Sequence, residues 1–139
     1  MKIVIDTNVL ISAAFWGGPP KKVIEATIQS GLNAYATADI LTEYEEITAE
    51  MIETGKGRFH PGLYTSFLRQ LTVIPSVSIV EICRDPDDNK FLSCAKDAQA
   101  LYIVSGDKDL LSIGTFEGIE IVTVTEFCTR YLRDTAFGG

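Results

Sequence analysis

The stretch Lys2-Ile3-Val4-Ile5-Asp6 constrains this chain more than any other: an apolar, β-branched run, too short for a helix, that ends on a carboxylate. Such a run reads as a buried strand of a parallel sheet, where both faces are covered and the apolar residues do not alternate. Open α/β sheets bind ligands outside the carboxyl ends of their strands, and Asp6 emerges at that edge. Capping of the following helix by Asp6 or Asn8 explains the same residues equally well. The stretch alone leaves the two readings even.

A second run follows the same grammar. Leu101-Tyr102-Ile103-Val104-Ser105 is apolar up to Ser105, and Gly106-Asp107-Lys108-Asp109 follows at once. One such event means little, whereas two point to a shared cleft at one sheet edge. The competing reading is a turn into a short helix, eased by Gly106 and capped by Asp107.

Between and around these runs the chain alternates helix-like and strand-like segments, which predicts an α/β fold. The pattern predicts a helix over Val9–Phe15, stopped by Trp16-Gly17-Gly18-Pro19-Pro20, and another from Pro20 to Ser30, ended by Gly31. Asn33–Thr37 reads as a strand and Leu63–Leu71 as a helix. Thr72–Ile74 and Ser78–Val80 read as short strands or extended connections, Ile119–Val124 as the last strand, and Thr125–Arg133 as the last helix.

The clearest amphipathic helix spans Asp39–Thr54, with Ile40, Tyr44, Ile47 and Met51 on one narrow stripe. Glu43 lies only about 60° round from Ile40 and Glu50 about 80°, whereas Glu45, Glu46 and Glu53 point well away. Glu43 is therefore the carboxylate best placed to enter a cleft, Glu50 comes next, and Glu45, Glu46 and Glu53 form a solvated face.

Arg84-Asp85-Pro86-Asp87-Asp88-Asn89 is an acidic turn leading into a helix that carries Phe91, Leu92, Ala95 and Ala98 at helical spacing. Asp88 stands at the open end of that stripe. Asp85, Asp87 and Asn89 imitate a calcium loop, but Lys90 replaces the required glycine and Lys96 the required glutamate, so calcium is rejected. Capping by Asp87 or Asp88 is the alternative, and it can coexist with ligation.

Composition narrows the chemistry. At 139 residues and 46% hydrophobic, the chain fits one domain over 1–139 with a real core. No run approaches the ~20 apolar residues of a membrane span. With no signal-peptide pattern after Met1-Lys2, a cytoplasmic protein is expected. The single histidine, His60, lies in a loop punctuated by glycine and proline, so a histidine-rich metal site is excluded. Cys83, Cys94 and Cys128 form no CxxC pair and read as core residues. No GxSxG turn is present. Any chemistry falls to carboxylates.

Ile3-Val4-Ile5-Asp6-Thr7-Asn8-Val9-Leu10, Glu43 within Ile40–Tyr44, Asp85-Pro86-Asp87-Asp88-Asn89-Lys90-Phe91-Leu92 and Val104-Ser105-Gly106-Asp107-Lys108-Asp109 together resemble the PIN-domain family. Within it the chain is most similar to small prokaryotic proteins described as toxins of toxin/antitoxin pairs. The likeness covers nearly the whole chain, and its specificity comes from four motifs in order rather than from any one.

The resemblance implies a three-layer α/β/α domain with a central, mostly parallel sheet and a metal-dependent ribonuclease activity. It implies Asp6, Glu43, Asp88 and Asp107 as catalytic metal ligands, Asp109 as an accessory, and Asn8 as a residue orienting Asp6 or a water. Ser105 stands where the family usually has threonine and keeps the hydroxyl. A cognate antitoxin and a homo-oligomer are the implied partners. Elementary chemistry agrees: clustered carboxylates stay ionised only beside cations, and oxygen-only ligation favours Mg²⁺ or Mn²⁺. Such an ion lowers the pKa of bound water and stabilises charge on a phosphate.

The net charge of −7 runs against an RNA substrate, since affinity for phosphates comes from Lys and Arg. Local placement outweighs the total. Lys56 and Arg58 are the expected RNA-binding residues, with His60, Arg84, Lys90 or Lys108 assisting. Two other classes compete: a catalytically silent domain that binds RNA or a partner, and a phosphatase with Asp6 as nucleophile. Asn8 stands where many such phosphatases carry a second aspartate.

Overall fold

The computed structural model describes residues 1–29 and 31–132. The predicted helix ends at Ser30 and Arg133 lie outside the described residues. In chain order the elements are β1 (Lys2–Ile5), α1 (Thr7–Trp16), α2 (Gly18–Gln29), β2 (Asn33–Ala36), α3 (Ala38–Thr54), α4 (Pro61–Gln70), β3 (Thr72–Val73), a 3₁₀ turn (Pro86–Asp88), α5 (Asn89–Ala98), β4 (Tyr102–Val104), α6 (Lys108–Ile113), β5 (Thr115–Phe116), β6 (Ile119–Val122) and α7 (Val124–Phe127). A π-helical turn over Cys128–Leu132 follows α7.

The strands form one six-stranded sheet in the order β3-β2-β1-β4-β6-β5. Every pairing is parallel except that of β5 with β6. Ile3, Val4 and Ile5 are all fully buried, so helices cover both faces of β1, as its uninterrupted apolar run requires. The chain winds outward from β1 to β2 and β3, then returns to place β4 on the other side of β1. The strand order therefore reverses between β1 and β4, where doubly wound sheets open a crevice for ligands. In register Ile5 stands opposite Val104, and the Asp6 N–H donates to the Val104 carbonyl at 3.0 Å.

On α3, Ile40 and Tyr44 are fully buried. Ile47 and Met51 pack against a small cluster of Ile11, Ala14 and Phe15. The buried Tyr44 hydroxyl donates to the Ile5 carbonyl, tying α3 to the last residue of β1. That bond fixes Glu43, the residue before Tyr44 on α3, beside the sheet edge. On α5, Phe91, Leu92, Ala95 and Ala98 are all buried.

Of the two forms expected for Ser78–Val80, a short strand or an extended connection, the structure has the connection, and the sheet gains one strand beyond those expected. Ser78–Val80 adds no strand: the Val77 and Ser78 N–H groups donate to the Asp97 carboxylate instead of to a neighbouring strand, and the Ile82 and Cys83 N–H groups donate to Asn89 Oδ1. These side chains hold the connection extended across the surface. The unanticipated β5 joins β6 through Glu117 and Gly118, both at positive φ, in the tight hairpin that such dihedrals produce.

Candidate metal centre

Asp6 leaves β1 with its side chain turned into the crevice and only 5% exposed. It occupies the N-cap position of α1, yet its side chain makes no capping hydrogen bond. Ser105, fully buried at the end of β4, donates its hydroxyl to Asp6 Oδ2 at 2.6 Å. Burial raises the Asp6 pKa and the charges of Asp107 and Glu43 add to the rise, opposed by the Ser105 hydroxyl and, more weakly, by the Asn8 N–H.

The same Ser105 oxygen accepts the Asp107 N–H at 2.9 Å. One hydroxyl thus joins the acids delivered by β1 and β4. Asp107 also caps α6, its Oδ2 accepting the Leu110 N–H at 3.1 Å, so the capping reading of this residue holds beside its place in the crevice. In the acidic turn the cap is Asp85, which accepts the Asp87 N–H, rather than Asp87 or Asp88.

Asp88, released from capping, meets Asp107 and Asp109. The three offer carboxylate oxygens that all lie within 4.8 Å of one another. Desolvation pushes the Asp88 pKa up to about 7, and the hydrogen bond and charge of Asp107 contribute next. Cys83 lies close by. Burial and the charges of Asp88, Asp107, Asp109 and Asp85 push its thiol up to about 11, so it carries no thiolate at neutral pH.

Glu43 completes the wall of a cleft of about 240 Å³ that Asp6, Asn8, Asp88 and Asp107 also line. Its Oε2 accepts from the Thr7 hydroxyl and its Oε1 pairs with Lys90 Nζ at 2.6 Å. Lys90 also reaches Asp87 at 3.0 Å. Burial alone would lower the Lys90 pKa, but hydrogen bonds and charges from Glu43 and Asp87 hold it above the usual value.

The structure therefore brings Asp6, Glu43, Asp88, Asp107, Asp109 and Ser105 to one edge. Asn8 borders the cleft with an exposed side chain and acts on Asp6 through its backbone N–H, while the Ser105 hydroxyl donates to Asp6 Oδ2. Lys56 and Arg58 lie elsewhere. Arg58 N–H donates to the Phe15 carbonyl and His60 N–H to that of Ala14, so their loop sits at the far end of α1. The length of α1 separates it from Asp6 by about 15 Å. Thr7 was not anticipated as a partner of Glu43, and its place inside Asp6-Thr7-Asn8 was the only signal.

A donor set of clustered oxygens with no histidine suits a hard divalent cation, and the mutual repulsion of Asp88 and Asp107 is what such an ion relieves. A family model described as PIN domain matches residues 2–109. The chain belongs to the PIN-domain family. An uncharacterized protein of Methanocaldococcus jannaschii is 36% identical over 121 residues, an alignment covering 81% of this chain and 75% of the relative. Among solved structures, a chain of VapBC2 from Rickettsia felis, crystallised bound to a DNA fragment from its promoter, superposes with a TM-score of 0.59 at 13% identity. That match covers 88% of this PIN domain and 98% of the other chain, and it shows the shared fold. PIN domains are generally nucleases and typically bind divalent metal. Among the described residues no helix is long and apolar enough to cross a membrane.

Proposed function

We propose that this PIN domain is a metal-dependent endoribonuclease that hydrolyses RNA phosphodiester bonds and serves as the toxin of a toxin/antitoxin pair. The observation that carries the reading is the convergence of Asp88, Asp107 and Asp109 within 4.8 Å beside the buried Asp6, at the point where the strand order reverses. Asp6, Asp88 and Asp107 would hold Mg²⁺ or Mn²⁺, with Asp109 as an accessory and Glu43 as the fourth carboxylate of the centre. An ion held there would supply activation of a water and a counter-charge for the phosphate.

The chain's own residues do the positioning. Ser105 holds Asp6 and the Asp107 backbone in one arrangement. Tyr44 holds α3, and with it Glu43, against β1. Beyond the acids, the larger cleft of about 600 Å³ around Glu43, Asp87 and Lys90 offers room for a nucleotide next to the scissile bond. Lys56 and Arg58, distant from the acids, would bind the RNA backbone a few nucleotides away.

The fold likeness to a chain of VapBC2 supports the toxin role and the expectation of a cognate antitoxin. A cytoplasmic site of action follows from that role. The experiment is RNA cleavage by purified protein with Mg²⁺ or Mn²⁺, in chelator, and by Asp6→Asn and Asp88→Asn variants. Activity that needs metal and disappears in both variants is expected, and robust cleavage by either variant overturns the assignment.

A further inference from the structure

The carboxylates of the crevice fall into two groups that differ in how their charge is compensated. On one side Glu43 has both oxygens engaged, one by the Thr7 hydroxyl and the other by Lys90 Nζ at 2.6 Å. Asp87 shares the same ammonium at 3.0 Å. On the other side, among the described residues, no lysine or arginine pairs with Asp6, Asp88, Asp107 or Asp109.

Lys90 is no solvated surface lysine. Its side chain is 17% exposed, and Nζ stands 5.8 Å from the ring centroid of Phe91, whose buried ring also lines the acidic cleft. Two anions and an aromatic face fix the ammonium at the junction of the smaller acidic cleft with the larger one, which share Glu43 and Asp87. A divalent ion at Glu43 would have to displace that ammonium, because like charges at such separations repel strongly.

We propose that Lys90 is a built-in second cation: its ammonium balances Glu43 and Asp87, so the centre takes one divalent ion, held on the Asp6, Asp88, Asp107 and Asp109 side. The inference rests on the metal-centre reading above and sharpens it, since Glu43 then serves the centre through Lys90 rather than as a ligand. Lys90 is a positioning and charge-balancing residue in this account.

The test is the number of Mn²⁺ ions bound per chain, measured by titration calorimetry and by electron paramagnetic resonance on the wild type, Lys90→Met and Lys90→Arg, without RNA. One ion is expected for the wild type and for Lys90→Arg, which keeps the charge, and two for Lys90→Met, where Glu43 and Asp87 lose their cation. A wild type that binds two ions, or a Lys90→Met protein that still binds one with unchanged affinity, overturns the inference while leaving the metal centre standing. A wild type that binds no Mn²⁺ removes the centre and the inference together. The wild-type count alone can overturn the proposal, so the test survives a variant that fails to fold.

Discussion

Ser105 and Asp6 are 99 residues apart in sequence and share a hydrogen bond of 2.6 Å inside the protein, donated by the hydroxyl to the carboxylate. The same oxygen accepts the Asp107 N–H, so Ser105 sets the spacing between acids contributed by two different strands. Ser105→Ala leaves the buried Asp6 carboxylate without its hydroxyl donor and is expected to cost about 1–3 kcal/mol. The bond lowers the Asp6 pKa, so its loss destabilises the ionised form and the cost shrinks as pH falls toward 4. Ser105→Thr retains the donor and should retain stability. Urea unfolding of both variants at neutral and acidic pH in chelator checks this, and an equal loss at both pH values would count against it.

Asp88 gives the centre a pH dependence of opposite origin. Its pKa is raised from 3.8 to about 7 by burial and by Asp107, so the folded protein binds a proton that the unfolded chain has released. Metal-free stability therefore falls as pH rises from about 4 through 7, and the penalty is complete above 7. Asp88→Asn cannot ionise and should melt higher than the wild type at pH 7.5 in chelator, with the difference closing near pH 4. A divalent ion must displace the Asp88 proton, so wild-type Mn²⁺ affinity should weaken about tenfold per pH unit below 7. Thermal melts with and without Mn²⁺ across this range read both effects. A pH-independent melting difference would contradict the assignment.

The strand-then-aspartate pattern was legible because central parallel strands, buried on both faces, must be continuously apolar, and their ends are where the polar residues begin. The α3 stripe was legible for the analogous reason at helical period, and Glu43 came with it. What could not be read were contacts between distant segments. Nothing local to Lys90 says that it faces Glu43 rather than solvent, and nothing local to Ser105 says which carboxylate it meets. Ser78–Val80 had strand-like composition, but the Asp97 carboxylate took the N–H groups of Val77 and Ser78 at its start. The β5–β6 hairpin escaped because its turn uses Glu117 in a left-handed conformation, where asparagine or aspartate would have announced it. The Lys56–His60 loop drew attention for its charge, whereas its backbone bonds to the end of α1 decide where that charge lies.

Tyr44 links stability to site geometry. Its hydroxyl donates to the Ile5 carbonyl from a fully buried position, one residue before Asp6. Tyr44→Phe keeps the ring against Phe67 and removes only the hydroxyl, which should cost about 1 kcal/mol of stability. Because the bond anchors α3 at Glu43, RNA cleavage should fall by more than the loss of folded protein explains. Activity measured well below the melting temperature, set against urea unfolding, separates the two. Unchanged turnover at reduced stability would show that the bond serves the core alone.

The loop that carries Lys56 and Arg58 is bonded to the end of α1 far from Asp6, and that helix, roughly 15 Å long, divides the contribution of these residues from that of the acids. If they bind the RNA backbone away from the scissile bond, Lys56→Glu with Arg58→Glu should weaken binding of single-stranded RNA without altering Mn²⁺ affinity. Each lost phosphate contact lowers the dependence of log affinity on log salt by about 0.7 for a single strand, so the double variant should lose about 1.4 of that slope. Placing both changes in an Asp88→Asn background prevents cleavage during the measurement. Fluorescence anisotropy with a labelled oligoribonucleotide at several salt concentrations gives the slope, and calorimetry on the double variant with Asp88 intact gives the metal affinity. An unchanged slope would remove these two residues from the RNA path and leave Arg84, Lys90 and Lys108 as the basic candidates nearer the acids in sequence.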